Sequence, residues 1–277
     1  MTAIIFDGRG YAEAKRAELK QKVAELTRAG KAPCMASIYI STDPGSVLYT
    51  RLKKQAAESV GIKFTDYDVT DKSKDEIITL IEQINSDKSV QGILVQKPSG
   101  KNDFSFSDWS EIVCTIDPRK DIDGLTPENL GLLAIGTPRF VPATVRAVMI
   151  VVNQSGIDLL GKKAVIIGAS EILGKPLSMI LTDKGATVSI LHGATRDISN
   201  YTAEADLLVS ATGNPGLIGA KDIKAGAVVI DVGAPKGDVK TEEVMEKASF
   251  LSLVPGGVGP VTISCLLTNL LLKLPLL

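Results

Sequence analysis

From residue 161 onward the chain repeats one phrase, a short apolar run closed by a turn and followed by a helical stretch, and this restricts the folds open to it. KKAVIIG is an apolar strand ending in Gly168, and ASEILGKPLSMILTDKG carries Ile172, Leu173, Leu177, Ile180 and Leu181 at helical spacing. TVSIL, ADLLVSA and AVVIDVG follow as further strands. That order predicts a doubly wound, nucleotide-binding sheet. Its first turn, GASEILG, is spaced G-x-S-x-x-x-G, one residue longer than the common glycine fingerprint. Gly168 permits the sharp turn, Ser170 donates to a phosphate or caps the helix, and Gly174 lets helix and strand approach. A merely tight strand-to-helix turn is the competing reading. The strand that follows ends in Leu191, His192 and Gly193, then Thr195 and Arg196, without the carboxylate that ribose hydroxyls favour. This leaves room for NADP, with Lys175 and Arg196 available to a 2′-phosphate, or else as solvated surface cations.

The earlier residues alternate more loosely. A helix is expected over 11–28, then a buried strand MASIYIS, a helix over 46–60, FTDYDV, a helix over 74–86, and GILVQ. Between Pro98 and Gly124 the pattern thins into polar, Pro- and Gly-punctuated loops, and DPRKDIDG places Asp121 and Asp123 on alternating positions. In GSVLYTRLKKQAAESVG, Ser46 is a plausible N-cap and Gly61 a stop. Tyr49 and Lys53 then share a face, and the plain alternative is an amphipathic helix with an exposed lysine. VPGGVGPV, residues 254–261, sets three glycines and two prolines before an apolar helix, with Pro260 near its first turn.

Composition removes whole classes of function. A net charge of −1 and 4% aromatic residues argue against a nucleic-acid surface. The start MTAIIFDGRG lacks a targeting pattern, and the apolar C-terminal run is broken by Thr268, Asn269 and Lys273, so no membrane span is expected and a cytoplasmic location is. Cys34, Cys114 and Cys265 are widely spaced and read as core residues. His192 is the single histidine, so no metal centre is expected. At 277 residues, two domains are the natural division.

Taken together, the Tyr-x-x-x-Lys helix, GILVQ with Pro98 two residues on, KDIDG, GASEILGKP, ATGNPGLI, VVIDVG and VPGGVGPVT make the chain resemble the bifunctional methylenetetrahydrofolate dehydrogenase/cyclohydrolase family along nearly its whole length. The resemblance implies an α/β fold with a catalytic, folate-binding domain over 1–140, completed by a C-terminal helix over 260–277, and a Rossmann-like NAD(P) domain over 141–259, with the two ligands meeting in the cleft. It implies that Lys53 is the catalytic lysine, Tyr49 its packing partner stacked on the folate, Gln96 the group positioning the lysine, and Asp123 the acceptor for the pterin N–H groups. Pro255, Gly256 and Gly257 fall to the substrate, and Gly168, Ala169, Ser170, Gly174, Lys175, His192, Thr195, Arg196, Thr212, Gly213, Asp231, Val232 and Gly233 to the cofactor. A homodimer through the dinucleotide domain is implied as well, with small molecules as the other partners. The chain departs from the family at KPSG (Lys97–Gly100), at PATVRA (Pro142–Ala147), where the usual cysteine is Ala143, and at Ala169 and Gly193. NADP is favoured, with NAD possible. A dehydrogenase of the same fold with another substrate or a single activity, and a non-catalytic dinucleotide-binding assembly protein, are the two alternative functions.

Overall fold

The structure, a computed structural model, describes residues 2–42, 44–97, 106–272 and 274, with the backbone alone for 106 and 107. In chain order the elements are β1 Ile4–Ile5, α1 Gly8–Arg28, β2 Cys34–Tyr39, α2 Pro44–Ser59, β3 Lys63–Asp68, α3 Lys74–Ser86, β4 Gly92–Val95, α4 Phe106–Cys114, α5 Pro127–Ala134 and α6 Ala143–Gln154. Then come β5 Lys163–Ile167, α7 Gly174–Asp183, β6 Thr187–Leu191, α8 Ser199–Thr202, β7 Leu207–Ser210, a 3-10 turn Ala220–Asp222, β8 Val228–Asp231, α9 Thr241–Met245, β9 Phe250–Ser252 and α10 Val258–Leu272.

The chain divides into two compact units. One comprises Met1–Ala12, Leu133–Thr137 and Thr144–Thr262; the other comprises Glu13–Leu132, Pro138–Ala143 and Ile263–Leu277. The first holds a six-stranded sheet, β1-β9-β8-β7-β5-β6, with every pair parallel. Parallel strands are buried on both faces, which is why β7 and β8 read as unbroken apolar runs. Val165, Ile167, Leu208, Val229 and Leu251 form its core. The second unit holds the parallel sheet β3-β2-β4. Ile38, Ile77, Ile81, Ile93 and Ile112 pack together there. The expected α/β architecture with a doubly wound sheet is therefore present, and α10 from Ile263 on belongs with the unit that carries Lys53.

Local chemistry sets the element ends. Helix α3 begins with a capping box, in which the Ser73 hydroxyl accepts from Glu76 N–H and the Glu76 carboxylate accepts from Ser73 N–H. Helix α2 ends as expected at Gly61, whose φ is +88°. Gly61 N–H donates to Glu58 O and Ile62 N–H to Ala57 O, the paired bonds of a Schellman stop.

Four expectations need correction. Ser46 is not the cap of α2, because the helix already starts at Pro44, whose fixed φ suits a first turn, and Ser46 is buried inside it. The stretch between Pro98 and Gly124 is not all loop: α4 lies within it, its Trp109, Ile112 and Val113 buried at helical spacing among polar neighbours that mask the period. Residues 98–105, which include most of KPSG, lie outside the described residues. The helix after GASEILG starts only at Gly174, with Glu171–Leu173 in a turn. Cys34 and Cys265 are buried as core residues, but Cys114, at the last residue of α4, is exposed.

Candidate active site

In a parallel sheet, ligands gather beyond the carboxyl ends of the strands where the chain turns in opposite directions from neighbouring strands. Each unit has such a point. In the Glu13–Leu132 unit it lies between β2 and β4, since the chain leaves β2 for β3 on one side and later returns to β4 on the other. Gln96 sits there, its N–H donating to Ile38 O at 2.8 Å. The KDIDG segment runs along the far side of β4 as a further short parallel pairing, with Ile93 opposite Asp121 and Ile93 N–H donating to Lys120 O at 2.7 Å. Gly92 makes this approach possible, for a Cβ there would meet Ile122 Cγ2 at 2.8 Å. The register carries Asp123 to the same edge as Gln96.

Helix α2 supplies the third group. Its buried face is the polar one, Ser46, Thr50 and Lys53 with Ala56 and Ala57, whereas Leu48 and Leu52 are exposed. The plain reading of Lys53 as a solvated lysine therefore fails: only 9% of it is accessible, and Nζ donates to Gln96 Oε1 at 2.7 Å. Burial pushes the Lys53 ammonium below the ordinary lysine range, and the Asp123 charge pulls it partly back. Burial pushes Asp123 upward; Lys53 opposes that shift, Asp121 adds to it, and the Ala143 backbone N–H opposes it. Desolvation is the largest cause of both shifts, and by accessible surface Asp123 is the more open of the two groups. Tyr49, one helical turn before Lys53, presents a half-open ring, 37% accessible.

Neighbours that the sequence does not announce hold the Asp123 turn rigid. Asp121 is 1% exposed. It accepts from Gly124 N–H (2.9 Å), Thr126 N–H (2.7 Å) and Asn129 Nδ2 (2.8 Å), and Arg139 Nη1 donates to Asn129 Oδ1 (3.0 Å). Lys120, also buried, donates Nζ to Ile84 O (2.9 Å) and Asp87 O (2.7 Å), the carbonyls that end α3. A cation at a helix C-terminus is favourable, and burial lowers its pKa. The isolated amides Asn129 and Asn269 beside apolar runs were the available signal for such supports.

In the Thr144–Thr262 unit the corresponding point lies between β5 and β7 and is made of backbone. Gly168 has φ +117°, and a Cβ there would lie 2.5 Å from Ala211 O. A Cβ on Gly174 would lie 1.8 Å from Gly168 O, so this turn admits only glycine. Ser170 Oγ accepts from Leu173 N–H (3.3 Å) within the turn, so Ser170 does not cap α7 as expected, and no side chain caps the start of that helix. Next to this turn come Thr212 and Gly213, where a Cβ on Gly213 would approach Ala234 O at 3.1 Å, and then Val232 and Gly233 beyond β8. Asp238 holds the Thr212 turn by accepting from its N–H and from Ser210 Oγ, each at 2.7 Å. Asp231 is buried, with its carboxylate engaged by the N–H groups of Gly233, Asp238 and Val239, so it shapes its loop rather than facing outward. His192 and Thr195 form a turn after β6, with His192 N–H donating to Thr195 Oγ1 (3.0 Å); Lys175 and Arg196 are exposed. Ala169 lies within the glycine turn, between Gly168 and Ser170. Bare backbone and an uncapped helix start fit a dinucleotide phosphate group. Pro255, Gly256 and Gly257 follow β9 in this same unit; Gly257 O lies so near Gly8 that a Cβ on Gly8 would be 1.9 Å from it.

The molecule is thus an α/β protein with a nucleotide-type glycine turn in one unit and a buried lysine–glutamine–aspartate constellation in the other. Residues 6–123 match the tetrahydrofolate dehydrogenase/cyclohydrolase catalytic domain, and residues 142–275 match the NAD(P)-binding domain of the same enzymes. The chain is 41% identical over 275 residues to the bifunctional protein FolD of Agathobacter rectalis, covering 96% of this chain and 97% of that one. Among solved structures it is similar to the bifunctional FolD methylenetetrahydrofolate dehydrogenase/cyclohydrolase of Campylobacter jejuni, with TM-score 0.91, 39% identity and 98% of each chain covered. It is similar also to the Trypanosoma brucei enzyme complexed with NADP and an inhibitor, with TM-score 0.91, 34% identity, and 99% and 97% covered. The chain belongs to the tetrahydrofolate dehydrogenase/cyclohydrolase family.

Proposed function

We propose that this protein oxidises 5,10-methylenetetrahydrofolate to 5,10-methenyltetrahydrofolate with NADP and hydrolyses the product to 10-formyltetrahydrofolate, a bifunctional step of one-carbon metabolism. The observation that carries the reading is the buried Lys53, depressed in pKa, bonded to Gln96 and sharing its field with Asp123. NADP, when bound, supplies the hydride acceptor. The glycine turn at Gly168–Gly174 would hold its phosphates, with Thr212, Gly213, Val232 and Gly233 lining the same edge.

Hydride transfer needs orientation more than acid or base, and Asp123 and Tyr49 provide it: the carboxylate accepts from the pterin amino and ring N–H groups while the open tyrosine ring stacks on the folate. Hydrolysis needs a proton carrier. Water adds to the cationic methenyl carbon and loses a proton; a ring nitrogen gains one as the C–N bond opens, and the carbinol O–H proton leaves to solvent as the formyl C=O forms, so one proton is released overall. Neutral Lys53 takes the first proton, and the ammonium so formed returns it to nitrogen. An ordinary lysine is protonated at neutral pH and could not accept it; desolvation places Lys53 nearer the working range. Gln96 Oε1 holds the amine in position by accepting from it. Pro255–Gly257 offer backbone groups to the substrate.

Among the described residues no helix is long and apolar enough to cross a membrane. Cytoplasmic location, a homodimer formed through the dinucleotide unit, and a functional division into 1–140 with 260–277 and 141–259 complete the proposal. Incubating the purified protein with 5,10-methylenetetrahydrofolate and NADP, and following the methenyl absorbance as it rises and decays to the formyl product, tests it. No absorbance change with either NADP or NAD would sink it.

A further inference from the structure

The second half of α10 is an apolar run interrupted by Asn269, which is fully buried. A buried primary amide costs free energy unless its hydrogen bonds compensate, and an apolar residue would fill the space without that cost. Here Nδ2 spends both of its protons on distant carbonyls, Ile122 O at 2.9 Å and Val141 O at 2.9 Å, in segments 147 and 128 residues away along the chain. Oδ1 meanwhile finds no donor among the described residues, so the amide is retained for what it donates.

The two carbonyls flank the candidate site. Ile122 immediately precedes Asp123, and Val141 lies two residues before Ala143, whose N–H bears on the Asp123 carboxylate. The two segments already touch, since a Cβ on Gly124 would meet Pro142 N at 3.1 Å and Pro142 Cα at 3.2 Å. The neighbouring Leu270 packs with Ile122 over Gly92, where a Cβ would meet Leu270 Cδ1 at 2.8 Å. One amide therefore spans the gap behind Asp123 and fixes the spacing of the two backbones that frame it.

We propose that Asn269 is a positioning residue for folate: by clipping Ile122 to Val141 it aims the Asp123 carboxyl at the pterin N–H groups. The inference rests on the assignment of Asp123 to the folate. A misplacement of about 1 Å at such a contact costs up to about 100-fold.

The test uses the full-length enzyme with Asn269→Leu, which removes both donors, Asn269→Ser, which keeps one, and Thr268→Ala as control. Among the described residues, the Thr268 hydroxyl donates within the helix, to Ser264 O at 2.8 Å. Steady-state KM for the folate and for NADP is measured alongside thermal unfolding and the Asp123 carboxyl titration by 13C NMR, assigned through Asp123→Asn. The folate KM is expected to rise about 10- to 100-fold in the Leu variant and by less in the Ser variant, with the KM for NADP within about twofold and Thr268→Ala like wild type. The Asp123 titration should fall toward the ordinary carboxylate range, because burial is the largest cause of its elevation. If the Leu variant does not fold, the Ser variant decides. A folded variant with unchanged folate KM overturns the proposal, and so does a parallel rise in both KM values. Wild-type turnover tests the functional reading separately, and the NMR titration reads the positioning without any substrate.

Discussion

The β2–β4 edge of the Glu13–Leu132 unit is furnished with long ionisable side chains, and the β5–β7 edge of the Thr144–Thr262 unit with glycines. Both edges arise from the same topological event, a parallel sheet whose connections diverge, and both collect loops at strand carboxyl ends. Under the proposed function their furniture differs because their tasks differ. A polyanionic cofactor is held well by N–H groups that backbone already supplies, provided that no Cβ stands in the way. Proton transfer needs a group whose protonation changes near the working pH, and only a desolvated side chain offers that.

The largest test of this contrast is Lys53→Met. Hydrolysis of methenyltetrahydrofolate should fall by about 10²–10⁴-fold, the usual worth of a positioned acid or base, while NADP affinity by titration calorimetry stays as in wild type. Unaltered hydrolysis would take Lys53 out of the chemistry. Without the lysine the Asp123 pKa should rise further, since Lys53 is the larger of the two influences that lower it.

The converse substitution is Gly174→Ala. Its Cβ would stand 1.8 Å from Gly168 O, well inside contact distance, and a clash with backbone cannot be relieved by rotating a side chain. Overpacking of this kind costs about 1–3 kcal/mol, and the turn must open to relieve it. Expected are a lower unfolding midpoint and weakened NADP binding, with hydrolysis of added methenyltetrahydrofolate retained. Wild-type NADP affinity in this variant would show that the glycine turn is not the cofactor's seat.

The two edges were also unequally legible. Glycines at a strand end announce themselves, because few other residues adopt φ near +117° or tolerate so close a backbone; the spacing in GASEILG carries the turn directly. The lysine edge was legible only in part. Helical spacing puts Tyr49 and Lys53 on one side of α2, but it cannot say that Ser46, Thr50 and Lys53 form the buried face and Leu48 and Leu52 the exposed one. Tertiary packing inverts the amphipathic expectation there. Helix α4 has no visible period in the sequence, because three buried residues among polar ones read as loop. Asn269 acts through carbonyls 147 and 128 residues away, and Asn129 and Arg139 through partners 8 to 11 residues away, separations that no helix or strand period encodes.

Within the lysine edge, Asp123→Asn gives an intermediate effect with a defined sign. The Asp123 charge raises the Lys53 pKa, so its removal lowers that pKa further. The pH limb of hydrolysis that reports loss of the Lys53 proton should move to lower pH, and the folate KM should rise by about 10- to 100-fold, the worth of a charge-assisted hydrogen bond at ~1.5–3 kcal/mol. A limb that moves to higher pH would mean that the two groups do not share a field.

The smallest effect is expected where the glycine edge borrows side chains. Lys175 and Arg196 are exposed, and exposed charges gain little from an anion because water screens them, typically ~0–1 kcal/mol each. No carboxylate stands at the end of β6, where Leu191, His192 and Gly193 lie, although Asp197 is exposed beside Arg196, so any selectivity for NADP would rest on these weak attractions. Lys175→Ala and Arg196→Ala should each weaken NADP binding by a few-fold, about fivefold at most, leave NAD unchanged, and lose their effect as salt is raised, since exposed pairs are screened within about 8–10 Å at physiological ionic strength. Initial rates with NAD and NADP at matched concentrations, in wild type and in the double variant, measure this. If wild type strongly prefers NAD, or if the double variant keeps the wild-type cofactor ratio at low salt, the two cations are solvated surface residues and the glycine edge works by backbone alone, which would make the contrast between the two units sharper still.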